Sequence, residues 1–236
     1  MKLLALDTSS EGCSAALWLD GQLSERFETA PRGHTRLLMP MIRELLSDQG
    51  LTPGDLDALA FARGPGSFTG LRIATGVIQG MAWGLDLPVV PVSSLAAVAL
   101  NAIEQHQLIE GDGIAVAFDA RMGEVYWGVF QCRNGVPVAL GPGRVCSPQA
   151  VTLPEPSPDA PERWFGVGQG WKFRDAMPEV VTASATMVDE ELVPRAGQVA
   201  RLAQPAFDRG ETVSAEQAQP VYVRDEVTWQ KLPGRG

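Results

Sequence analysis

The sequence predicts an α/β protein of two lobes, each built on the same βββαβα order of strands and helices. Each half opens with an apolar strand and a hairpin, whose turns are Asp20-Gly21 in the first half and Asn134-Gly135 in the second. Both dipeptides are typical of two-residue hairpin turns, which need left-handed backbone angles. A polar, turn-rich stretch at 106–113 separates the halves. We therefore expect an N-terminal lobe at 1–105 and a C-terminal lobe at 106–236.

Apolar periodicity and turn residues place the elements of the first lobe in order. Strands are predicted at 2–6, 13–19, 22–29, 56–62 and 87–92, and helices at 36–49, 71–85 and from Ser93 or Ser94 to about 105. Gly50 is placed to end the first helix. Pro40 suits the first turn of a helix, which would move the start of this one toward Met39.

The second lobe repeats the opening strands and then departs from the pattern. Strands are predicted at 114–118, 124–133 and 136–140, and 165–170 is interpreted as a strand end followed by a turn. Five prolines between 147 and 163 exclude a helix or a central strand there. A late helix is predicted at 194–208, and we expect residues 194–210 to pack back toward the first lobe. The tail at 220–224 is expected to be extended and the last residues loose.

The composition is that of a globular protein and excludes several functional classes. A chain of 236 residues with 45% hydrophobic residues can bury a large core. The net charge of −9 argues against a lone nucleic-acid binder, because phosphate binding depends on Lys and Arg. No apolar run reaches membrane-spanning length, and the apolar start that Asp7 interrupts predicts a strand rather than a signal peptide. Three cysteines without a CxxC pair predict neither a disulfide framework nor a zinc site, and they favour a reducing cytoplasm.

One glycine-rich stretch, RGPGSFTGLR at 63–72, joins the fourth strand to the second helix. Gly64 and Gly66 permit close approach of the backbone, and Ser67 or Thr69 can cap the helix. Two interpretations follow: a loop that faces a phosphate or a partner at the helix N-terminus, or a tight strand-to-helix turn. The stretch matches neither the ATPase phosphate loop nor the dinucleotide fingerprint.

Three glycines form one stripe on the second helix, Gly76, Gly80 and Gly84. Each costs about 1 kcal/mol relative to Ala in a helix interior, so the stripe calls for a packing reason. That reason is either close packing within the chain, on its own sheet or a neighbouring helix, or a helix-to-helix contact with another subunit. For the second case the candidate partner-binding residues are Leu38, Met41, Ile42 and Leu45 on the first helix and Ile73, Gly76, Val77, Gly80, Met81 and Gly84 on the second.

Several motifs together resemble the TsaB (YeaZ) family over nearly the whole chain. The specific motif is GPGSFTGLR at 64–72, and weaker ones are LALDTS at 4–9, Gly33-His34, Asp119-Ala120-Arg121 and PVYVR at 220–224. The resemblance implies the two-lobed fold of actin, Hsp70 and the sugar kinases (the ASKHA fold). This agrees with the duplicated βββαβα unit.

The resemblance also implies a role in making threonylcarbamoyladenosine (t6A) at position 37 of tRNAs that read codons starting with A. A family member is expected to be a non-catalytic subunit that dimerises with a TsaD-like catalytic paralogue, with a TsaE-like ATPase as a further partner. A homodimer is expected as well. The tRNA is expected to be reached only through the complex, and no membrane is involved.

The residues for metal-dependent catalysis are missing from the sequence. The catalytic paralogue binds metal through H-x-x-x-H, and the equivalent positions here hold Ser94 and Val98, which make a poor metal site. His34 is interpreted as a cap or packing residue rather than a lone metal ligand. We therefore expect no catalytic residue and no metal.

Nucleotide binding is the remaining candidate chemistry. The turn at 7–9 stands where kinases of this superfold carry an Asp-x-Gly phosphate turn, and Ser9 replaces the glycine. The candidate nucleotide-binding residues are Asp7, Thr8, Ser9, Gly66 and Ser67. We expect no cofactor on this chain alone. A nucleotide bound at the interface with a partner is the alternative. The alternative to a partner subunit is an enzyme of the same superfold, either an ATP-binding kinase-like protein or a hydrolase such as a glycoprotease.

Overall fold

The computed structural model describes residues 1–223. Residues 220–223 carry no regular secondary structure. Arg224, the last residue of the predicted extended tail, and the final residues expected to be loose lie outside the described residues. None of the described helices combines the length and hydropathy that crossing a membrane requires.

The first lobe is organised around a five-stranded sheet. Its strands are β1 Lys2–Asp7, β2 Gly12–Leu19, β3 Gln22–Thr29, β4 Ala58–Gly64 and β5 Val89–Ser93. They lie in the order β3-β2-β1-β4-β5. The central strand β1 is antiparallel to β2 and parallel to β4, so that Leu4 lies opposite Leu17 and Leu59. The nearly continuous apolar residues of β1 and β4 fit strands that are buried on both faces.

The second lobe repeats this strand order. Its strands are β6 Gly113–Asp119, β7 Val125–Arg133, β8 Val136–Ala139, β9 Arg144–Cys146, β10 Trp164–Val167 and β11 Ala185–Asp189. The sheet runs β8-β7-β6-β10-β11, with β9 beside β7. In both sheets three antiparallel strands are followed by two parallel ones on the far side of the first strand. The predicted α/β class and the two-lobed, duplicated ASKHA fold are confirmed.

The helices complete the layers on the two sheets. The α-helices of the described residues are α1 His34–Asp48, α2 Phe68–Leu85, α3 Ser94–His106, α4 Glu179–Ser184 and α5 Ala196–Asp208. α1 and α2 cover one face of the first sheet, where Leu45 and Ile78 join Leu4 and Phe61 in a single core. On the second sheet, Trp171 belongs to a 3-10 segment that packs on one face together with α4.

The two lobes exchange their last helices. α3 follows the last strand of the first lobe, yet its residue Val98 packs with Ile114 and Phe165 of the second sheet. α5 follows the last strand of the second lobe, yet its residue Val199 packs with Ala5 of the first sheet. Each sheet is therefore covered on one face by a helix that the other half of the chain supplies.

Several observed elements differ from the predicted ones. α1 begins at His34 rather than near Met39, because Pro40 lies inside the helix on its exposed face. α2 begins at Phe68, and α5 begins after Pro194, at Ala196. β11 and α4 are not predicted, since both are short and mostly only partly buried, which weakens their periodicity. The proline-rich segment 147–163 takes the place in chain order that α1 holds in the first lobe.

Candidate functional site

The glycine-rich stretch forms a tight turn that packs on the end of β1. Ser67 caps α2 by accepting a hydrogen bond at Oγ from the Gly70 N–H, and its own N–H donates to the Ser9 carbonyl at 2.7 Å. A Cβ at Gly66 would lie 2.3 Å from the Ser9 carbonyl oxygen, and one at Gly70 would lie 1.9 Å from that of Thr8. Both glycines are therefore needed for this close backbone packing. The geometry supports a strand-to-helix turn.

The turn at 7–9 is closed to solvent. Asp7 and Thr8 are fully buried, and Ser9 is 4% exposed. The Thr8 hydroxyl donates to the Gly70 carbonyl at 2.6 Å, and one Asp7 carboxylate oxygen accepts from the Ser9 N–H at 3.1 Å. Burial raises the pKa of Asp7 to about 6. Asp7 and Thr8 are thus shielded from solvent in this structure, and their part in nucleotide binding stays a prediction.

His34, and the two positions equivalent to the metal ligands of the catalytic paralogue, are also buried inside the protein. The ring of His34 lies within hydrogen-bond distance of the Ser10 and Gly12 carbonyls, with Nε2 at 2.9 Å and 3.2 Å, and ties α1 to β2. Ser94 and Val98 are fully buried in α3. Among residues 1–223 no three His, Cys, Asp or Glu side chains group as a metal site. The packing interpretation of His34 agrees with these contacts.

A cleft of about 750 Å³ lies between the lobes, and we call it the inter-lobe cleft. The first lobe contributes Ser9 to Glu11, Gly66 to Thr69 and Arg72, and the second contributes Phe118 to Arg121, Tyr126, Gln169, Lys172 and Leu192 to Pro194. Of the nucleotide-binding candidates, Ser9, Gly66 and Ser67 line it. The Lys172 ammonium pairs with Asp119 at 2.6 Å, and Arg121 lies 3.9 Å from the same carboxylate.

An aromatic and cationic stack borders the inter-lobe cleft. The Arg72 guanidinium lies 3.5 Å from the centre of the Phe68 ring and 5.7 Å from that of Tyr222, and the two rings are 5.5 Å apart. Phe68 is 56% exposed and Tyr222 is 41% exposed. The Val221 N–H donates to the Arg63 carbonyl at 2.8 Å, which holds Tyr222 at this place.

The glycine stripe of α2 faces outward. A Cβ added at Gly76, Gly80 or Gly84 would meet nothing within 4 Å, and all three residues are exposed. Packing on the chain's own sheet or on a neighbouring helix of the chain is therefore excluded as the reason for the stripe. Trp83, three residues after Gly80, lies on the same helix and is 71% exposed. Ile73, Val77 and Met81 are partly buried against the first core.

The partner-binding candidates on α1 face the interior instead. Leu38, Met41, Ile42 and Leu45 are between 1% and 7% exposed and belong to the first core. These side chains form the chain's own core, because a helix turns its periodic apolar side inward, and their contact with a partner stays a prediction. The outward side of α1 lines a shallow groove of about 580 Å³ beside α2, which we call the α1–α2 groove. Its lining includes Met39, Ile42, Arg43, Leu46, Ser47, Gly80, Met81, Gly84 and Leu85, with Ile42 reaching it from the core.

Comparison with known proteins gives the family. Residues 28–228 match a family model described as TsaD, tRNA N6-adenosine threonylcarbamoyltransferase. The chain is 40% identical to the Escherichia coli K12 protein named tRNA threonylcarbamoyladenosine biosynthesis protein TsaB, over the full length of both. The chain belongs to the TsaB family. A TsaB of Haemophilus influenzae is 41% identical over all of this chain and 98% of the relative.

A solved structure carries the same family fold. The YeaZ protein from Pseudomonas aeruginosa is 43% identical, with a TM-score of 0.86 over 94% of this chain and 99% of that one. The resemblance to the TsaB family that the motifs indicated is thus confirmed.

Several exposed residues beside the candidate sites were not predicted from the sequence. Trp83, Met39 and Arg43 lie next to the glycine stripe or the α1–α2 groove, and Arg72 with Tyr222 borders the cleft. On α1 and α2 these residues could have been found by examining the helix face opposite the periodic apolar one. A tryptophan three residues after Gly80 marks that face.

Proposed function

We propose that this chain is a non-catalytic partner subunit in the synthesis of t6A at position 37 of tRNAs that read codons starting with A. It dimerises with a TsaD-like catalytic paralogue, and a TsaE-like ATPase joins the pair. The observation that carries this proposal is the 40% identity, over both full lengths, to a relative named as a tRNA threonylcarbamoyladenosine biosynthesis protein. The tRNA is reached through the complex.

The interior of the chain supports a subunit without its own chemistry. Ser94 and Val98 replace the paired histidines of the catalytic paralogue, and both are fully buried. The Asp7 carboxylate, which a kinase of this superfold would turn toward a phosphate, is fully buried as well. We propose that a nucleotide, if one takes part, is held at the joint surface with a partner.

The exposed side of α2, with the α1–α2 groove beside it, supports a subunit contact. Gly76, Gly80 and Gly84 leave the backbone of α2 open, so a helix of a second subunit can approach closely. Trp83 adds a large exposed aromatic side chain, the residue type that most often dominates binding energy. We propose that one surface serves both the homodimer and the mixed dimer, so that the two compete.

Gly80→Leu tests this surface. We expect association with the TsaD-like paralogue and with a second copy to weaken by at least about tenfold, because one or more poorly accommodated methylene groups cost about 1–3 kcal/mol. Sedimentation is measured over a concentration series that spans the wild-type dissociation constant, so that a tenfold weakening shifts the midpoint of association. Gly141→Leu is the matched control, because Gly141 is exposed and open but lies in the second lobe. Unchanged association of Gly80→Leu would exclude this surface.

A transfer assay tests the function itself. Threonylcarbamoyl transfer to tRNA by the TsaD-like and TsaE-like partners is measured with and without this chain. We expect transfer to depend on it. Calorimetry with Mg-ATP addresses the alternative enzyme: micromolar binding with turnover by the chain alone would replace the subunit proposal with a kinase-like or hydrolytic activity.

A further inference from the structure

The outward side of α1 carries two cations without ionic partners. Arg36 and Arg43 are both exposed and are separated by two helical turns, so that they lie on one face of the helix. Met39 and Pro40 lie between them and are exposed as well. Within residues 1–223 neither guanidinium forms an ion pair. This face of α1 is therefore cationic and partly apolar.

The carboxylates near this face do not balance its charge. Glu44 and Asp48 of α1 both pair with Arg26 of β3, on the side of the helix that is turned toward the sheet edge. On the other side of the groove, α2 contains no Asp or Glu between Phe68 and Leu85. A chain whose net charge is −9 thus presents a positive surface beside the α1–α2 groove.

The α1–α2 groove itself is apolar and has a charged edge. Leu46, Met81 and Leu85 line it, and Arg43 is the one charged side chain among the described residues of its lining. A guanidinium that is covered without an acceptor loses its hydration, which is costly. A favourable occupant therefore brings apolar side chains to the groove and a carboxylate to Arg43.

A second copy of the chain does not meet this requirement. A two-fold dimer places a surface against the same surface of the other copy. Arg36 and Arg43 would then face a surface whose own unpaired charges are the same two arginines. Like charges across an interface weaken association, and opposite charges strengthen and accelerate it.

We propose that Arg36 and Arg43 select the occupant of the α1–α2 groove, favouring a different chain that places carboxylates opposite them over a second copy. This inference rests on the proposed use of this surface as a subunit contact, and it adds the chemistry of the partner. In the competition between the two dimers, the arginines shift the balance toward the mixed one.

A charge-reversed copy tests the proposal on the chain's own scaffold. Arg36→Glu combined with Arg43→Glu supplies the carboxylates that the proposal requires of a partner. Sedimentation of a labelled copy in about 50 mM NaCl should show the reversed copy binding the wild type at least about threefold more tightly than the wild type binds itself. The difference should shrink in about 500 mM NaCl, because salt screens exposed charges. General repulsion acts in the opposite direction, since the reversed copy is four charges more negative.

A control with the same change in net charge isolates the effect of position. Arg133→Glu combined with Arg174→Glu alters two exposed arginines of the second lobe. This copy should bind the wild type no more tightly than the wild type binds itself. Equal binding of the reversed and control copies to the wild type would overturn the proposal. If circular dichroism shows that the reversed copy does not fold, Arg36→Gln with Arg43→Gln decides, because its homodimer should be tighter than that of the wild type.

The TsaD-like paralogue tests the second half of the proposal. Its binding should weaken at least about threefold when the chain carries Arg36→Glu and Arg43→Glu, and it should be unaffected by the control pair. Undiminished binding to the reversed chain would show that the partner brings no carboxylates and would overturn the proposal. Failure of the t6A role is distinguishable from this outcome, because transfer would then not depend on the wild-type chain, whatever the charge variants do to binding.

Discussion

At the residue scale, the Asp7 carboxyl is held where its charged form is unfavourable. It is fully buried at the end of β1, one oxygen accepts from the Ser9 N–H, and the other has no hydrogen-bond partner among residues 1–223. Burial raises its pKa to about 6, above the value near 3.9 of an unfolded chain. Between these two values the folded state binds more protons than the unfolded state. The contribution of Asp7 is therefore most favourable below pH 4 and is lost as the pH rises through 6.

Asp7→Asn should remove this pH dependence. Raising a pKa by about two units corresponds to roughly 3 kcal/mol. Between pH 4 and pH 7 the unfolding free energy of the wild type should therefore fall relative to that of the variant by up to roughly 3 kcal/mol. Urea unfolding at several pH values measures the difference. Asp55→Asn is the control, because hydrogen bonds from Thr52 lower the pKa of Asp55 and reverse the sign. Parallel curves for the wild type and Asp7→Asn would contradict the assignment.

At the element scale, α5 is fixed to the first sheet by its N-terminus. The Glu25 carboxylate of β3 accepts from the Arg195 guanidinium at 2.6 Å and from the Gly197 N–H at 2.8 Å. The Ser14 hydroxyl of β2 accepts from the Ala196 N–H at 2.9 Å. Two side chains of the first lobe thus satisfy the helix N–H groups that have no partner within α5.

Glu25→Ala should loosen α5. The change leaves the Gly197 N–H and the partly buried Arg195 without their acceptor, so we expect a loss of about 1–3 kcal/mol of unfolding free energy. Hydrogen exchange in α5 should accelerate accordingly. Glu44→Ala is the matched control: its carboxylate lies 3.8 Å from Arg26 and is 63% exposed, so the loss should stay below about 1 kcal/mol. Equal losses for both variants would mean that Glu25 does not fix α5.

Local structure could be predicted from the sequence where a residue type determines the backbone dihedral angles. Asp20-Gly21 and Asn134-Gly135 adopt the positive φ angles that such hairpin turns need, and both hairpins are present. The site was less predictable. Helical periodicity identified the apolar side of α1, which forms the core, but periodicity does not show which residues of the helix meet a partner. The glycine stripe of α2 faces open space, as a subunit contact requires, and the contact itself stays a prediction.

At the scale of the whole molecule, the exchange of α3 and α5 makes the two predicted lobes dependent on each other. The face of the first sheet that contains Ala5 and Val90 is covered by α5, and the second sheet is covered by α3. A boundary between residues 105 and 106 separates the two halves of the sequence, but it also separates each sheet from the helix that covers it. Sequence patterns did not predict the exchange in full, because periodicity shows which side of a helix is buried and not which sheet covers it.

Separate fragments should demonstrate this dependence. We expect chains of 1–106 and 107–236 to lack a cooperative thermal transition when alone, because each exposes an apolar sheet face. Mixing them should restore the transition, which calorimetry and circular dichroism measure. A cooperative transition in the isolated 1–106 chain would show that its sheet needs no helix from the other lobe.

The exchanged helix also sets an order of events during synthesis on the ribosome. The first sheet is complete once Ser93 has left the exit tunnel, but α5 begins about a hundred residues later, at Ala196. At about 5–20 residues per second the nascent chain presents one apolar sheet face for roughly 5–20 s before its own cover is made. During that interval the apolar surface of the growing polypeptide is open to aggregation.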